Sequence, residues 1–105
     1  MSSEIHVTVE FTNGLEVLFD NVSKHSITFS ANADNGKSPT VGYLINYICD
    51  NLIKDPRKEL FILDGAVRPG ILVLINDSDW ELEGEDKYEL TDNDNVLFVS
   101  TLHGG

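Results

Sequence analysis

The chain has 105 residues, 41% of them hydrophobic, with 18 acidic residues against 7 basic ones and a formal net charge of -11. That length suits one domain that buries somewhat over ~60% of its unfolded surface, and the charge argues against direct binding of nucleic acid or an anionic membrane, which needs clustered Lys and Arg. No apolar run approaches the ~20 residues that span a bilayer, and Met1-Ser2-Ser3-Glu4 lacks the basic and apolar segments of a secretory signal, so an intracellular protein is expected.

In that setting the sequons Asn21-Val22-Ser23 and Asn76-Asp77-Ser78 carry no glycan chemistry. Cys49 is the sole cysteine, which excludes an internal disulfide and a cysteine-based four-ligand metal site. Half of the acidic residues fall between Asp77 and Asp94. This lopsided field suits steering toward a basic protein surface, and it equally suits solvated loops that keep the chain soluble.

Taken in order, Ile5, Val7, Val9 and Phe11 alternate with His6, Thr8 and Glu10, the period of a half-buried strand, until Thr12-Asn13-Gly14 breaks it. Leu15 to Asp20 is too short to assign. A second strand follows around His25, Ile27 and Phe29, which suggests an N-terminal hairpin. Residues 31–39 form a polar loop with an Asn35-Gly36 turn. Thr40 is placed as an N-cap, and Val41, Leu44, Ile45, Ile48, Cys49 and Leu52 recur at helical spacing on one face. Cys49 in that stripe reads as a small buried hydrophobe rather than a reactive thiol, with no cation nearby in sequence to lower its pKa.

Pro56 closes the helical region. Leu60-Phe61-Ile62-Leu63 reads as a short strand ahead of an Asp64-Gly65 turn, and Arg68-Pro69-Gly70 is a further turn. The uninterrupted run Ile71 to Ile75 fits a strand covered on both faces or nearly so. Asn76 to Asp79 is expected to leave the sheet, Trp80-Glu81-Leu82 to form a brief edge strand, and Asp92 to Asn95 to turn into a final strand from Val96 to Thr101. The order describes an α+β fold, a mixed sheet packed on one main helix. In the last strand Val96 and Phe98 are assigned inward, and Leu97 and Val99 outward as a partner-docking patch, with a covering loop as the other reading.

The chain divides into a domain, 1–101, and a C-terminal tail, 102–105. Gly104 and Gly105 follow the final strand, and glycine is costly to order, so the tail reads as a mobile, extended tether. Lacking a Cβ, the pair can thread a slot too narrow for other side chains, with Leu102 and His103 leading it in. It presents the α-carboxylate of Gly105, whose intrinsic pKa of roughly 3.5 leaves it ionised at neutral pH. A carboxylate becomes an acceptor for sulfur once reaction with ATP makes one oxygen part of a leaving group. An ordinary frayed end is the alternative reading of Gly-Gly alone. His6, His25 and His103 are scattered and form no cluster, and Asp92 and Asp94 lack the glycine and closing glutamate of a calcium loop.

Three segments together narrow the choice: Arg68-Pro69-Gly70-Ile71, the block from Leu74 to Glu85 (Leu-Ile-Asn-Asp-Ser-Asp-Trp-Glu-Leu-Glu-Gly-Glu), and the ending Ser100-Thr101-Leu102-His103-Gly104-Gly105. With Thr40-Val41-Gly42 and Leu44-Ile45 at the helix start, they resemble the eukaryotic ubiquitin-related modifiers that double as sulfur carriers. The resemblance spans essentially the whole chain, although residues 32–39 form a longer loop than the family pattern.

It implies a β-grasp (ubiquitin-like) fold and a chain that is not an enzyme. Gly105 would be adenylylated by an E1-like activating enzyme with a rhodanese-like domain and converted to a thiocarboxylate. ATP is then used by that enzyme and no cofactor is bound by the chain. The further partners implied are a tRNA thiolation enzyme, which makes 2-thiolated wobble uridine, and lysines of target proteins that become conjugated. His103 reads as a contact for the activating enzyme or as an idle solvated side chain. A cytoplasmic monomer, extending to the nucleus, is expected. The competing readings are a non-covalent ubiquitin-like interaction module with an inert tail, and the small subunit of a cofactor-synthesising complex that also carries sulfur on Gly-Gly.

Overall fold

Alternating apolar residues build β1, Glu4–Thr12, in which Ile5, Val7, Val9 and Phe11 are buried. β2, Lys24–Ser30, pairs with it antiparallel, setting Val7 opposite Ile27 and Ile5 opposite Phe29. The stretch left unassigned between them is a 3-10 turn, Leu15–Phe19, with Leu15, Leu18 and Phe19 buried. The computed structural model describes residues 3–101. Leu102, His103, Gly104 and Gly105, the residues assigned to the tail, lie outside the described residues.

Thr40 caps the helix as its side chain suggests: Oγ1 accepts the backbone N–H of Tyr43 at 3.2 Å. α1, Val41–Tyr47, continues into a π-helical turn, Ile48–Leu52, and buries Val41, Leu44, Ile45 and Ile48 against the sheet. Thr40→Ala removes this acceptor from a short helix and is expected to cost about 1 kcal/mol, read as a lower urea midpoint at an unchanged slope. Cys49 is half-buried. Desolvation raises its pKa, and Lys58, near it in the fold though not in the sequence, offsets this only in part. The thiol is therefore held in its protonated, unreactive form.

β3, Ile62–Leu63, and β4, Ala66–Val67, form a small hairpin closed by Asp64 and Gly65 at φ 54° and 80°. The strand expected from Leu60 is thus shorter. Asp55 accepts the N–H and guanidinium of Arg57, an exposed clamp that pulls its carboxyl down to about 2, and the chain then tightens into a 3-10 turn, Lys58–Leu60. That turn delivers Phe61 into the core, fully buried. Its ring stands edge-on to Phe11 and Phe98, whose rings stack at 5.5 Å, while Phe19 stacks on Phe11 at 3.8 Å. Four aromatic rings from four separate segments therefore close one end of the core.

β5, Ile71–Ile75, β6, Ser78–Asp79, and β7, Asp94–Ser100, complete a sheet of order β2-β1-β7-β5-β6. The first and last strands, β1 and β7, pair in parallel at its centre, and the other pairs are antiparallel. Three expectations change here. β5 is covered on one face only: Ile71, Val73 and Ile75 are buried, but Leu72 is 46% exposed, because α1 covers a single side of the sheet. Asn76 and Asp77 alone leave the sheet, adopting the left-handed conformation at φ 50° and 69°, which Asn and Asp tolerate in a two-residue hairpin turn. Ser78 and Asp79 then return as the edge strand, and Trp80–Leu82 is a 3-10 turn, started by the Asp79 carboxylate accepting the N–H of Glu81 at 2.9 Å.

Candidate functional site

The residues that launch the tail are held by two turns. Asn13 and Gly14 end β1 in the left-handed region, and the Asn13 side-chain amide donates to the carbonyl of Ser100 at 3.2 Å. Across the sheet the turn Arg68-Pro69-Gly70 places the carbonyl of Gly70 where it accepts the N–H of Thr101 at 2.8 Å and also the Thr101 hydroxyl. Gly70 sits at φ 98°, a conformation that the position after Pro69 requires and that costs glycine little. Strand β7 is thus fastened on both sides up to Thr101, at a point between the end of β1 and the start of β5.

Beside that point lies the outward face of the sheet. Val96 and Phe98 are fully buried, and Leu97 and Val99 point the other way, half-buried. Register sets Leu72 opposite Val99 and Leu74 opposite Leu97, so four aliphatic side chains form one block, bordered on β1 by Glu10 and Thr12. Leu72 and Leu74 escape a reading of the sequence alone, because an unbroken apolar run does not say which alternate residues meet a helix.

The buried end of β7 is polar. Asp94 is 4% exposed, and its carboxylate accepts the Thr91 N–H at 2.8 Å and, at 2.9 Å each, the Thr91 hydroxyl, the Tyr88 hydroxyl and the Asn76 amide. Burial pushes its pKa up, but these donors together outweigh it and hold the group below the ordinary carboxylate value. Burial, and then donation to Asp94, raises the pKa of Tyr88. Asn76 also accepts the N–H of Asn95 at 2.9 Å, tying the β5–β6 turn to the start of β7. Asp92 instead lies outside, where it accepts the backbone N–H and the ring Nδ1 of His6, each at 2.8 Å; these bonds lower its pKa. The two aspartates therefore serve separate hydrogen-bond sets. Among the described residues no three His, Cys, Asp or Glu side chains are grouped to hold a metal ion. His25 bonds the Val22 carbonyl at 2.9 Å, away from His6.

A mixed sheet with its first and last strands parallel at the centre, gripping one main helix, defines a ubiquitin-like β-grasp protein. The family described as Urm1 (Ubiquitin related modifier) matches residues 6–105. Ubiquitin-related modifier 1 of Chaetomium thermophilum is 63% identical over 102 residues, which cover 97% of this chain and 93% of that protein. The solution structure of Urm1 from Trypanosoma brucei superposes with a TM-score of 0.75 at 38% identity, covering both chains completely. The Amycolatopsis orientalis BexX/CysO complex has a chain of the same fold, with a TM-score of 0.69 at 20% identity over 94% of this chain and 99% of that one. The chain belongs to the Urm1 (ubiquitin-related modifier) family.

Proposed function

We propose that this chain is a sulfur carrier and protein modifier whose reacting atom is the C-terminal carboxyl carbon of Gly105. The observation that carries this reading is the fastening of β7 at Ser100 and Thr101, which fixes the base of a four-residue segment ending in Gly104-Gly105, within a family match that runs through Gly105. A rigid base with a slender end suits delivery of one carboxylate into another protein's active site.

In this reading an E1-like enzyme joins the Gly105 carboxylate to the α-phosphorus of ATP and releases pyrophosphate. A persulfide on its rhodanese-like domain then attacks the carbonyl carbon and AMP leaves. Reductive cleavage of the resulting acyl disulfide by a thiol leaves the thiocarboxylate. The catalytic groups and ATP belong to the partners, and the chain acts as substrate and carrier. The sulfur is passed to the wobble uridine of transfer RNA by a thiolation enzyme. The carrier itself, at net charge -11, stays off the RNA. Attack on the activated carbonyl by a lysine amine gives the conjugated form instead. His103 and Leu102 lead the glycines into the enzyme's slot, and the protein works in the cytoplasm and nucleus.

Leu97 and Val99, with Leu72 and Leu74, supply the docking face beside the tail. In cells lacking their own carrier and supplied with the chain's activating enzyme, the wild-type chain is expected to restore a thiolated tRNA band retarded in a mercury-containing gel. A Leu97→Ser, Val99→Ser variant with the wild-type melting temperature is expected to restore less than about a tenth of it, as loss of a central apolar anchor does. No band with the wild-type chain would overturn the sulfur-transfer reading, and full restoration by the variant would overturn the assignment of the docking face.

A further inference from the structure

On the helix side of the sheet, opposite Leu97 and Val99, lies a groove of about 430 Å³ between α1, the β3–β4 hairpin and the segment that follows β6. Its apolar surface comes from Ile45, Ala66, Val67 and Trp80, and its rim carries Glu85 and Asp86. Gly42 lets these elements meet closely: a Cβ there would come within 3.2 Å of the Asp86 carbonyl oxygen, so a larger residue would require the acidic segment to give by a few tenths of an ångström. Glu85 is itself held at φ 57°, following Gly84 at φ 101°. Neither carboxylate takes part in an ion pair or side-chain hydrogen bond among the described residues. Between Asp77 and Asp94, Lys87 is the only basic side chain.

We infer that this groove is a docking site for a short basic segment of a partner protein, one that alternates Arg or Lys with an aliphatic residue. The inference rests on charge complementarity joined to shape. Two carboxylates, unpaired among the described residues, line a partly apolar trough, and the half-buried Trp80 offers an indole surface on which a guanidinium or the methylene stem of a lysine can lie. The same acidity disfavours nucleic acid and anionic membrane as occupants. Because the groove and the outward face of β7 lie on opposite sides of the sheet, a partner can sit in the groove while the tail and its neighbouring face are engaged elsewhere. Its occupancy requires neither activation of Gly105 nor sulfur.

Trp80 is the only tryptophan in the chain, so its fluorescence reports on this site directly. The probe is a short capped peptide alternating arginine with leucine, titrated into the full chain with tryptophan emission and backbone amide shifts recorded together. Expected are a saturable change in emission and shifts concentrated at Gly42, Gly65, Ala66, Val67, Glu85 and Asp86. The variant Glu85→Gln, Asp86→Asn is expected to weaken binding at least about tenfold. Glu81→Gln, Glu83→Gln, which removes equal charge outside the groove, is expected to weaken it less than about threefold. Equal weakening by the two variants, or shifts spread over the whole acidic surface, would reduce the effect to general attraction and overturn the proposal. Spermidine reproducing the same shifts at the same concentration would overturn it as well, by showing that the site reads charge without a peptide.

Discussion

Removal of Gly105 is expected to lower the rate of acyl-adenylate formation, read as ATP–pyrophosphate exchange with the activating enzyme, by about 100-fold or more, with no change in melting temperature. The first part follows from geometry. Deleting one extended residue withdraws the terminal carboxylate by roughly 3.5 Å, and reacting atoms misplaced by even ~1 Å can lose a factor of ~100. The second follows from where the fold's last contacts lie. Asn13 holds the Ser100 carbonyl and Gly70 holds Thr101, so the described domain is fastened before the glycines begin. Full exchange by the truncated chain would mean that another carboxylate is activated. A fall in melting temperature would mean that the tail packs on the domain.

The second large effect is structural. Asp94→Ala is expected to cost about 3–4 kcal/mol and to lower the melting temperature by roughly 15–25 °C, because it leaves donors from Tyr88, Thr91 and Asn76 without their acceptor inside a site that is 4% exposed. Asp94→Asn keeps the shape but turns an N–H₂ toward donors, and an intermediate loss is expected. The pH dependence has a defined sign. The folded-state pKa of Asp94 lies below its unfolded value, so its contribution is complete above about pH 4 and disappears as pH falls through the folded-state value. Asp92, lowered chiefly by the His6 backbone N–H, adds in the same direction. Urea midpoints measured from neutral pH to below pH 4 are therefore expected to fall for the wild-type chain and to fall less for Asp94→Asn. Parallel curves would remove Asp94 as the source of the acid sensitivity.

Particular residues show what could be seen in advance. Strand β1 was legible because Ile5, Val7, Val9 and Phe11 alternate without a break, and α1 because Thr40 precedes an apolar stripe at helical spacing. In β7 alternation marks no face, since Val96 to Val99 are all apolar; placing Val96 and Phe98 inward rests on a one-helix sheet having a single core face, and both are fully buried. Leu15, Leu18 and Phe19 also stand at helical spacing, but one turn is too little pattern to separate from a loop, although Phe19 proves to be part of the aromatic core. Ile71 to Ile75 misled because hydrophobicity alone cannot distinguish a face covered by a helix from one left open. In sequence Asn76-Asp77 suggests the start of a departure from the sheet, whereas both residues accept positive φ and turn the chain straight back. Asp94 looked like a turn residue. Its role as a buried acceptor depends on donors 3, 6 and 18 positions away, meeting only in the folded chain. The Gly-Gly ending and the block around Trp80 could be read as the mark of a modifier. The groove beside Trp80 could not, since it joins α1, β4 and the segment after β6 through a close approach at Gly42.

The most direct test of the central claim is the intact mass of the chain after incubation with its activating enzyme, ATP and a sulfur donor, measured beside the form lacking Gly105. A gain equal to one oxygen replaced by one sulfur, found only in the full-length chain and mapped to Gly105, is the predicted result. An unchanged mass with an enzyme shown to be active on another carrier would contradict it and favour a module that binds partners without passing through the tail.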